Sequence, residues 1–491
     1  MNNNKTEINI KKYIVWIISF LMICICFLQY IHPHYSLDSY VCYNSNKVDV
    51  KFMLGLGRPF VVLAVELVSL MGINVVKWQS FFCVVMLLTF AISIVKMYTI
   101  TITYNDIKDN FVKIIIYICC VVAFLNIFFA EWFQFVESYI MFSGALLFVV
   151  ISIEKYLQGK YVRASLFLFI ALGFYQGVLG IFINWVLGNI FLKYNKDFKK
   201  LISNSFYCII TAGAISVLNI LSNKFLTKIG AAGQNDRQVV LSFDVVIRNI
   251  KDILKGQKFF LINCYNLLPH YSLLICLLIL LFLFIYIFYK KIYIFWIYPI
   301  IFYASTFLPF LFTGILWMSQ RTVTPYFSFF AIMAIIIVVA NEKKIRNIEL
   351  LVLIVMSILL FLNVNSINRI AIDLFSTNRM DYLICKQIEN EILEYEEKTG
   401  ITVEKILVRD DEYPVWNDPD ISTQIYDTNK RALKVPWCLN GLFKFVMNRD
   451  FEVGYMDEES YQRLFEKEDW NIIDLQEQLV FENNVLYMML Y

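Results

Sequence analysis

Long apolar runs without a single charge limit what this chain can fold into more than any other feature. Tyr13 to Ile31 is one such run and Tyr271 to Tyr289 is another. A helix of about 19 residues crosses a hydrocarbon core about 30 Å thick. No water bonds peptide groups in that medium, so each run must close its own backbone bonds as a helix. Composition agrees, with 59% of residues hydrophobic and 17% charged, against roughly 25% charged in soluble chains. The chain therefore reads as an α-helical multi-pass membrane protein whose first partner is the lipid bilayer. Its net charge of +3 is too small to point to nucleic acid. The 11 cysteines are scattered, mostly inside apolar runs (Cys24, Cys26, Cys119, Cys120), with no CxxC or Cys/His metal spacing. They read as small core residues. Cys385 and Cys438 share a polar C-terminal stretch, where a disulfide between them is an open alternative.

Basic residues orient the chain. Lys11-Lys12 precede the first run and place the N-terminus in the cytoplasm by the positive-inside rule. That run lacks a small-residue cleavage site and is expected to stay as an anchor. Eleven spans are expected, over 13–31, 78–98, 112–130, 138–153, 165–175, 177–192, 201–221, 271–289, 292–312, 323–340 and 348–364. The basic loops 154–163, 193–200, 290–291 and 341–346 then share the inner side. This count needs Gly57 to Ile73, which is short and carries Glu66, to lie at the outer interface. It also needs the apolar stretch 165–192, flanked by basic clusters at both ends, to break near Tyr175-Gln176-Gly177. Ser222 to Phe259 is a polar outer loop, with apolar spacing from Phe243 to Leu254 that predicts an amphipathic helix. Past Leu362 the chain turns rich in Asp, Glu, Lys and Asn. Residues 1–364 are read as a transmembrane domain. Residues 365–491, about 125 in number, suffice for their own core and are read as a small extracytoplasmic α/β domain. That domain has a helix near 381–397 and strands within 402–408 and 479–489.

Four polar groups face outward in this topology. Asp38 follows the first span, with His32 and His34 nearby; the histidines read as interfacial residues rather than metal ligands. Glu131 and Glu137 lie in Phe129-Ala130-Glu131-Trp132-Phe133-Gln134-Phe135-Val136-Glu137-Ser138. Tyr175-Gln176 mark the helix break. Arg321 sits at the outer end of a late span, with Arg58 and Arg237 as further cations. Ionisable residues at the rim of a membrane bundle point to function. A carboxylate can take a proton from an attacking hydroxyl. An arginine can hold a phosphate through two parallel bonds, more tightly as negative charge grows. Together they suit transfer from a phosphorylated lipid. Each has a plainer alternative: a helix cap for Asp38, solvated hairpin residues for Glu131 and Glu137, a headgroup anchor for Arg321, a bond to a neighbouring helix for Gln176.

At these residues the chain resembles the bacterial Gtr type II membrane glucosyltransferases, within the GT-C superfamily. The resemblance rests on the early span, the outer Asp38, Gly57-Arg58-Pro59-Phe60, the Phe-rich acidic turn from Phe128 to Glu137, and Gly173-Phe174-Tyr175-Gln176-Gly177, and it covers about residues 13–345. The family often carries two adjacent acids in the first loop. Here Leu37-Asp38 supplies one, which leaves open whether Glu131 or Glu137 shares its work. The resemblance implies a GT-C-like bundle with interfacial helices in the first outer loop. It also implies a polyprenyl-phosphate-linked hexose donor, a surface polysaccharide or related glycan as acceptor, and inversion at the anomeric carbon. A separate flippase and donor synthase would feed such an enzyme. Asp38 is then the general base, Arg321 with Arg58 holds the leaving phosphate, and Tyr175 and Gln176 bind sugar hydroxyls. No cofactor is expected; a divalent metal is conceivable, but no outer cluster has oxygen ligands enough to argue for one.

Two other classes compete. A lipid-linked glycan transporter or flippase predicts paired repeats and mid-bilayer charges, and the chain shows neither. A polysaccharide polymerase or ligase predicts a large outer loop between late spans, whereas the polar bulk here is C-terminal.

Overall fold

The computed structural model describes residues 2–44, 49–233, 239–240, 242–291, 295–341, 345–410, 421–466 and 474–490. Helix α1 (Asn2–Phe27) leads to three short helices, α2 (Leu37–Asn44), α3 (Val50–Gly55) and α4 (Pro59–Leu70). The body of the bundle follows: α5 (Gln79–Tyr104), α6 (Asn110–Phe124), α7 (Ile127–Gln134), α8 (Tyr139–Leu157), α9 (Tyr161–Phe174), α10 (Leu179–Tyr194) and α11 (Phe198–Lys228). Then come α12 (Phe243–Lys258), α13 (Ser272–Phe288), α14 (Ile297–Ser305), α15 (Pro325–Val339) and α16 (Arg346–Thr399). Among the described residues, seven helices are long and apolar enough to cross a membrane, or eight if the bent pair α6–α7 counts as one span. Lys343 and Lys344 lie outside the described residues.

The breaks in this bundle have local causes. The run expected as one span at 112–130 bends by 45° between α6 and α7. Asn126 sits in the apolar run and its side chain accepts from the backbone N–H of Phe128 at 3.1 Å, capping a new helix. Asn363 of α16 accepts the next orphan donor, Ile127 N–H, at 3.0 Å. The 165–192 stretch breaks where its flanking charges predicted. Tyr175 is extended, and a single 3₁₀ turn, Gln176–Val178, starts α10. Helix α4 has 12 residues, about 18 Å at 1.5 Å per residue, which is too short to span. The segment expected at 292–312 has Ile297–Ser305 as its longest described helix and then runs irregularly past Pro309.

The C-terminal region shares its first helix with the bundle. Helix α16 runs unbroken for 54 residues. It carries the apolar 348–364 stretch and the polar 381–397 stretch as one rod, and Gly400 ends it with φ +70°. Beyond it, strands β1 (Lys405–Asp410), β2 (Glu452–Tyr455), β3 (Leu479–Glu482) and β4 (Val485–Leu490) form one sheet in the order β2-β1-β4-β3. β1 is parallel to β2 and β4, and β3–β4 is a hairpin. Helix α17 (Pro436–Met447) packs beneath it, and a shorter helix, Glu458–Leu464, follows β2. Buried Ile388, Ile406, Leu439, Leu442, Phe443 and Leu486 share one core, and Leu37 and Tyr40 of α2 are part of it. The loop that follows α1 is therefore built into the C-terminal core. Inside that core Arg431 and Asp381 are both fully buried and paired, Nε to Oδ1, at 2.9 Å. Cys385 and Cys438 are free thiols, and the Cys438 S–H donates to Val435 O at 3.1 Å, so no disulfide joins them.

Helix α17 approaches α2 more closely than any side chain would allow. A Cβ on Gly441 would lie 2.6 Å from the backbone oxygen of Tyr40. Gly441→Val should force the helices apart and cost about 1–3 kcal/mol of stability. Thermal unfolding of the purified protein in detergent reads this, and an unchanged midpoint would mean that the contact tolerates the extra bulk.

Candidate active site

A single cavity of about 1290 Å³ gathers most of the residues singled out from the sequence: Asp38, Arg58, Glu137, Tyr175, Gln176 and Arg321 all line it. Arg237 lies outside the described residues. Glu131 is one shell further in, against Arg321. Two residues of the C-terminal region, Asp427 and Trp437, also line the cavity.

The Arg321 end is the more tightly built. Glu131 projects from the short helix α7 and its side chain is 1% exposed. Its Oε1 accepts from Arg321 Nη1 at 2.6 Å, and its Oε2 accepts from the Arg321 backbone N–H. The carbonyl of the same residue is held by Trp132 Nε1 at 2.9 Å and by the Tyr175 hydroxyl at 3.3 Å. Tyr265 donates to Met318 O at 2.6 Å, just upstream. The guanidinium lies over the Phe135 ring, 4.3 Å from its centre. Its second arm, Nη2, reaches Asp427 Oδ2 at 2.9 Å. Burial opposes the charge of Arg321, but Glu131 and Asp427 raise its basicity above the ordinary arginine value, so it stays protonated.

Arg58 and the helix break form the middle of the site. Gly57 has φ +74°, which lets the chain turn sharply into α4. The Gln176 amide donates to Leu56 O at 3.0 Å and Gly57 O at 2.9 Å, and Asn223 donates to Gly55 O at 3.0 Å. Gln176 is thus a strut that fixes the turn before Arg58. Arg58 in turn lies over the Tyr175 ring, 5.0 Å from its centre.

The carboxylate end lies in the first turn of α2. Asp38 is exposed to the cavity while its neighbours Leu37 and Ser39 are buried. Glu137 sits beside it, close enough for the charge of Asp38 to act on it. The Ser39 hydroxyl donates to Glu137 Oε2 at 2.7 Å and Ser36 at 3.3 Å, whereas Glu137 Oε1 is buried with no hydrogen-bond partner among the described residues. Burial and the nearby charge of Asp38 push the Glu137 carboxyl up to about 8, so it holds a proton near neutral pH. The two acids left open from sequence therefore separate: Glu137 joins Asp38, and Glu131 belongs to Arg321.

His34 corrects a sequence expectation. It is fully buried rather than interfacial, with Nδ1 2.7 Å from His32 O and Nε2 2.9 Å from Phe133 O. Burial pushes its basicity below the ordinary histidine value. It ties the first loop to the turn that carries Glu131. Among the described residues no three His, Cys, Asp or Glu side chains are grouped to hold a metal ion.

A helical membrane bundle with a carboxyl pair and a carboxylate-held guanidinium lining one cavity has the parts of a transferase acting at a lipid surface. The glucosyl transferase GtrII family matches the chain over residues 27–341, and the chain belongs to that family. It is thus a membrane glycosyltransferase, and its family implies a lipid-linked sugar donor. No curated protein and no solved structure matches the chain. Asp427 and Trp437 fall beyond the matched residues. The one sequence signal for Asp427 was a turn-forming Asp-Thr-Asn run at 427–429, too common to single out.

The two carboxylates on Arg321 differ in depth, 1% against 27% exposed. Glu131→Ala removes the deeper partner of Arg321, leaving it Asp427, and should cost about 1.5–3 kcal/mol, the worth of a hydrogen bond to a charged group. Asp427→Ala should cost about 1 kcal/mol or less, as partly exposed pairs do. Denaturant titrations of the two variants check this, and equal losses would contradict the ranking.

Proposed function

We propose that the chain moves a glucosyl or related hexosyl group from a polyprenyl-phosphate-linked donor to a cell-surface glycan on the outer face of the membrane, with inversion. The observation that carries this reading is one hollow lined by two carboxyl groups, Asp38 and Glu137, and two guanidinium groups, Arg321 and Arg58. The same hollow continues along apolar residues of α11 and the 301–312 stretch, among them Ile209, Val217, Ile220 and Leu308. A phosphorylated polyprenol needs both surfaces, because its head is charged and its tail cannot leave lipid.

In this mechanism Asp38 takes the proton of the acceptor hydroxyl, and Glu137, protonated near neutral pH, stays beside it as a neutral neighbour that leaves Asp38 ionised. The acceptor oxygen bonds to C1 of the sugar as the C1–O bond to phosphate breaks, through an oxocarbenium-like state. The bond pair goes to the phosphate, which turns from a singly charged diester to a more negative monoester. Arg321, with Arg58 behind it, gains attraction as that charge develops. Tyr175 and Gln176 stay mainly as the frame that holds the two arginines. The topology that suits this chemistry has the N-terminus in the cytoplasm, eleven apolar segments in the membrane and the region after residue 364 outside. A flippase and a donor synthase would supply the substrate on that side.

Asp38→Asn should leave thermal unfolding unchanged and lower transfer by about 10²–10⁴-fold, the range of a general base. The assay is release of polyprenyl phosphate from a polyprenyl-phosphate glucose by purified enzyme with acceptor glycan. Full activity in that variant would remove Asp38 from the mechanism.

A further inference from the structure

We infer that Asp427 is an exchangeable counter-ion of Arg321: it occupies the phosphate position when the donor is absent, yields it when the donor enters, and returns to expel the product phosphate. This rests on the reading of Arg321 as the phosphate holder. It assigns a positioning role to a C-terminal residue outside the family-matched part of the chain.

The asymmetry of the two carboxylates is the first ground. Glu131 is buried and holds both the side chain and the backbone N–H of Arg321. Asp427 makes one contact to it, at 2.9 Å, and is 27% exposed along the cavity wall. A ligand entering the cavity therefore meets the Asp427 arm, and Glu131 stays in place.

The second ground is how Asp427 is mounted. It lies at the tip of a tight turn closed by reciprocal backbone bonds between Ile425 and Thr428, at 3.2 and 2.9 Å. Tyr426 beside it has φ +53°, a backbone state that a bulky residue rarely adopts. The base of the turn is fixed by buried polar bonds. Thr423 donates to Asp373 at 2.6 Å, Asn429 donates to Ile370 O at 2.9 Å, and Gln134 donates to Asn429 at 3.1 Å. Thr428 donates to Gln320, next to Arg321, at 3.1 Å. With the base pinned, the exchange needs only a rotation of the Asp427 side chain. The carboxylate stays tethered within reach, at high effective concentration.

Charge supplies the third ground. Arg321 and Glu131 together are neutral, and Asp427 adds one negative charge. A donor diester also carries one, so replacing Asp427 by the donor conserves local charge, whereas holding both would set two anions against one guanidinium arm. After transfer the monoester carries between one and two negative charges near neutral pH, and Arg321 would hold it harder than the donor. A tethered competitor for the same arm limits that product trapping.

The test measures donor KM, kcat and inhibition by a short-chain polyprenyl phosphate for wild type, Asp427→Asn, Asp427→Glu and Arg321→Gln. Binding of the short polyprenyl phosphate is also followed by calorimetry without turnover. Asp427→Asn should lower donor KM and tighten polyprenyl phosphate binding by about two- to fivefold, the worth of a partly exposed ion pair, and should lower kcat as release slows. Asp427→Glu, which keeps the charge, should stay near wild type. If Arg321→Gln weakens phosphate binding while Asp427→Asn leaves it unchanged or weaker, the counter-ion role is overturned and the phosphate site stands. If Arg321→Gln leaves phosphate binding unchanged, the reading of Arg321 falls and the counter-ion role with it.

Discussion

The buried pair between Glu131 and Arg321 is the constraint on which the rest of the site depends. Glu131 is fully buried, and an unpaired buried ion costs several kcal/mol. The pair forces two distant parts of the chain, α7 and the turn before α15, into one fixed contact. Peptide groups outside regular helix are bonded by side chains, the Ile127 N–H by Asn363 and the Arg321 carbonyl by Trp132 and Tyr175, as irregular backbone within a membrane bundle requires.

Legibility from sequence followed the kind of signal each feature leaves. Apolar runs are long and redundant, so the helices of the bundle were readable. The break at Tyr175 was readable because basic clusters flank both of its helices and charge asymmetry is read over many residues. The break at Asn126 left a single polar residue in an apolar run, and a span was expected across it. Glu131 and Glu137 look alike in sequence, because the turn at Phe135 that gives one Arg321 and the other Asp38 as its neighbour leaves no pattern of its own. The shift in composition after Leu362 was read as the start of a new helix near residue 381. Nothing between 364 and 399 stops a helix, and α16 continues until Gly400. A change in polarity marks a change in surroundings, whereas a helix end needs a cap or a breaker.

His34 and Gln176 show a further limit. Both are polar residues beside a functional stretch, and both were read by their chemistry. In the fold their hydrogen bonds go to backbone carbonyls of neighbouring segments, and they act as struts. A membrane bundle has few polar side chains with which to satisfy the backbone at its breaks, so the residues that do so cluster beside the site and resemble ligands.

The C-terminal region enters the site from two directions, and this changes what the family-matched part can do by itself. Leu37 and Tyr40 flank Asp38 on α2 and are buried in the C-terminal core, so the position of the proposed base is set by residues beyond 341. Arg321 is held on one arm by Asp427 from the same region. The fully buried Arg431–Asp381 pair locks the strand-bearing region to α16, and Thr423 bonded to Asp373 does the same about two helical turns earlier. These links run along the rod that also caps α7 through Asn363. One helix thus sets the register of the acid end, the guanidinium end and the region that closes both, and a shift along it would misplace all three together.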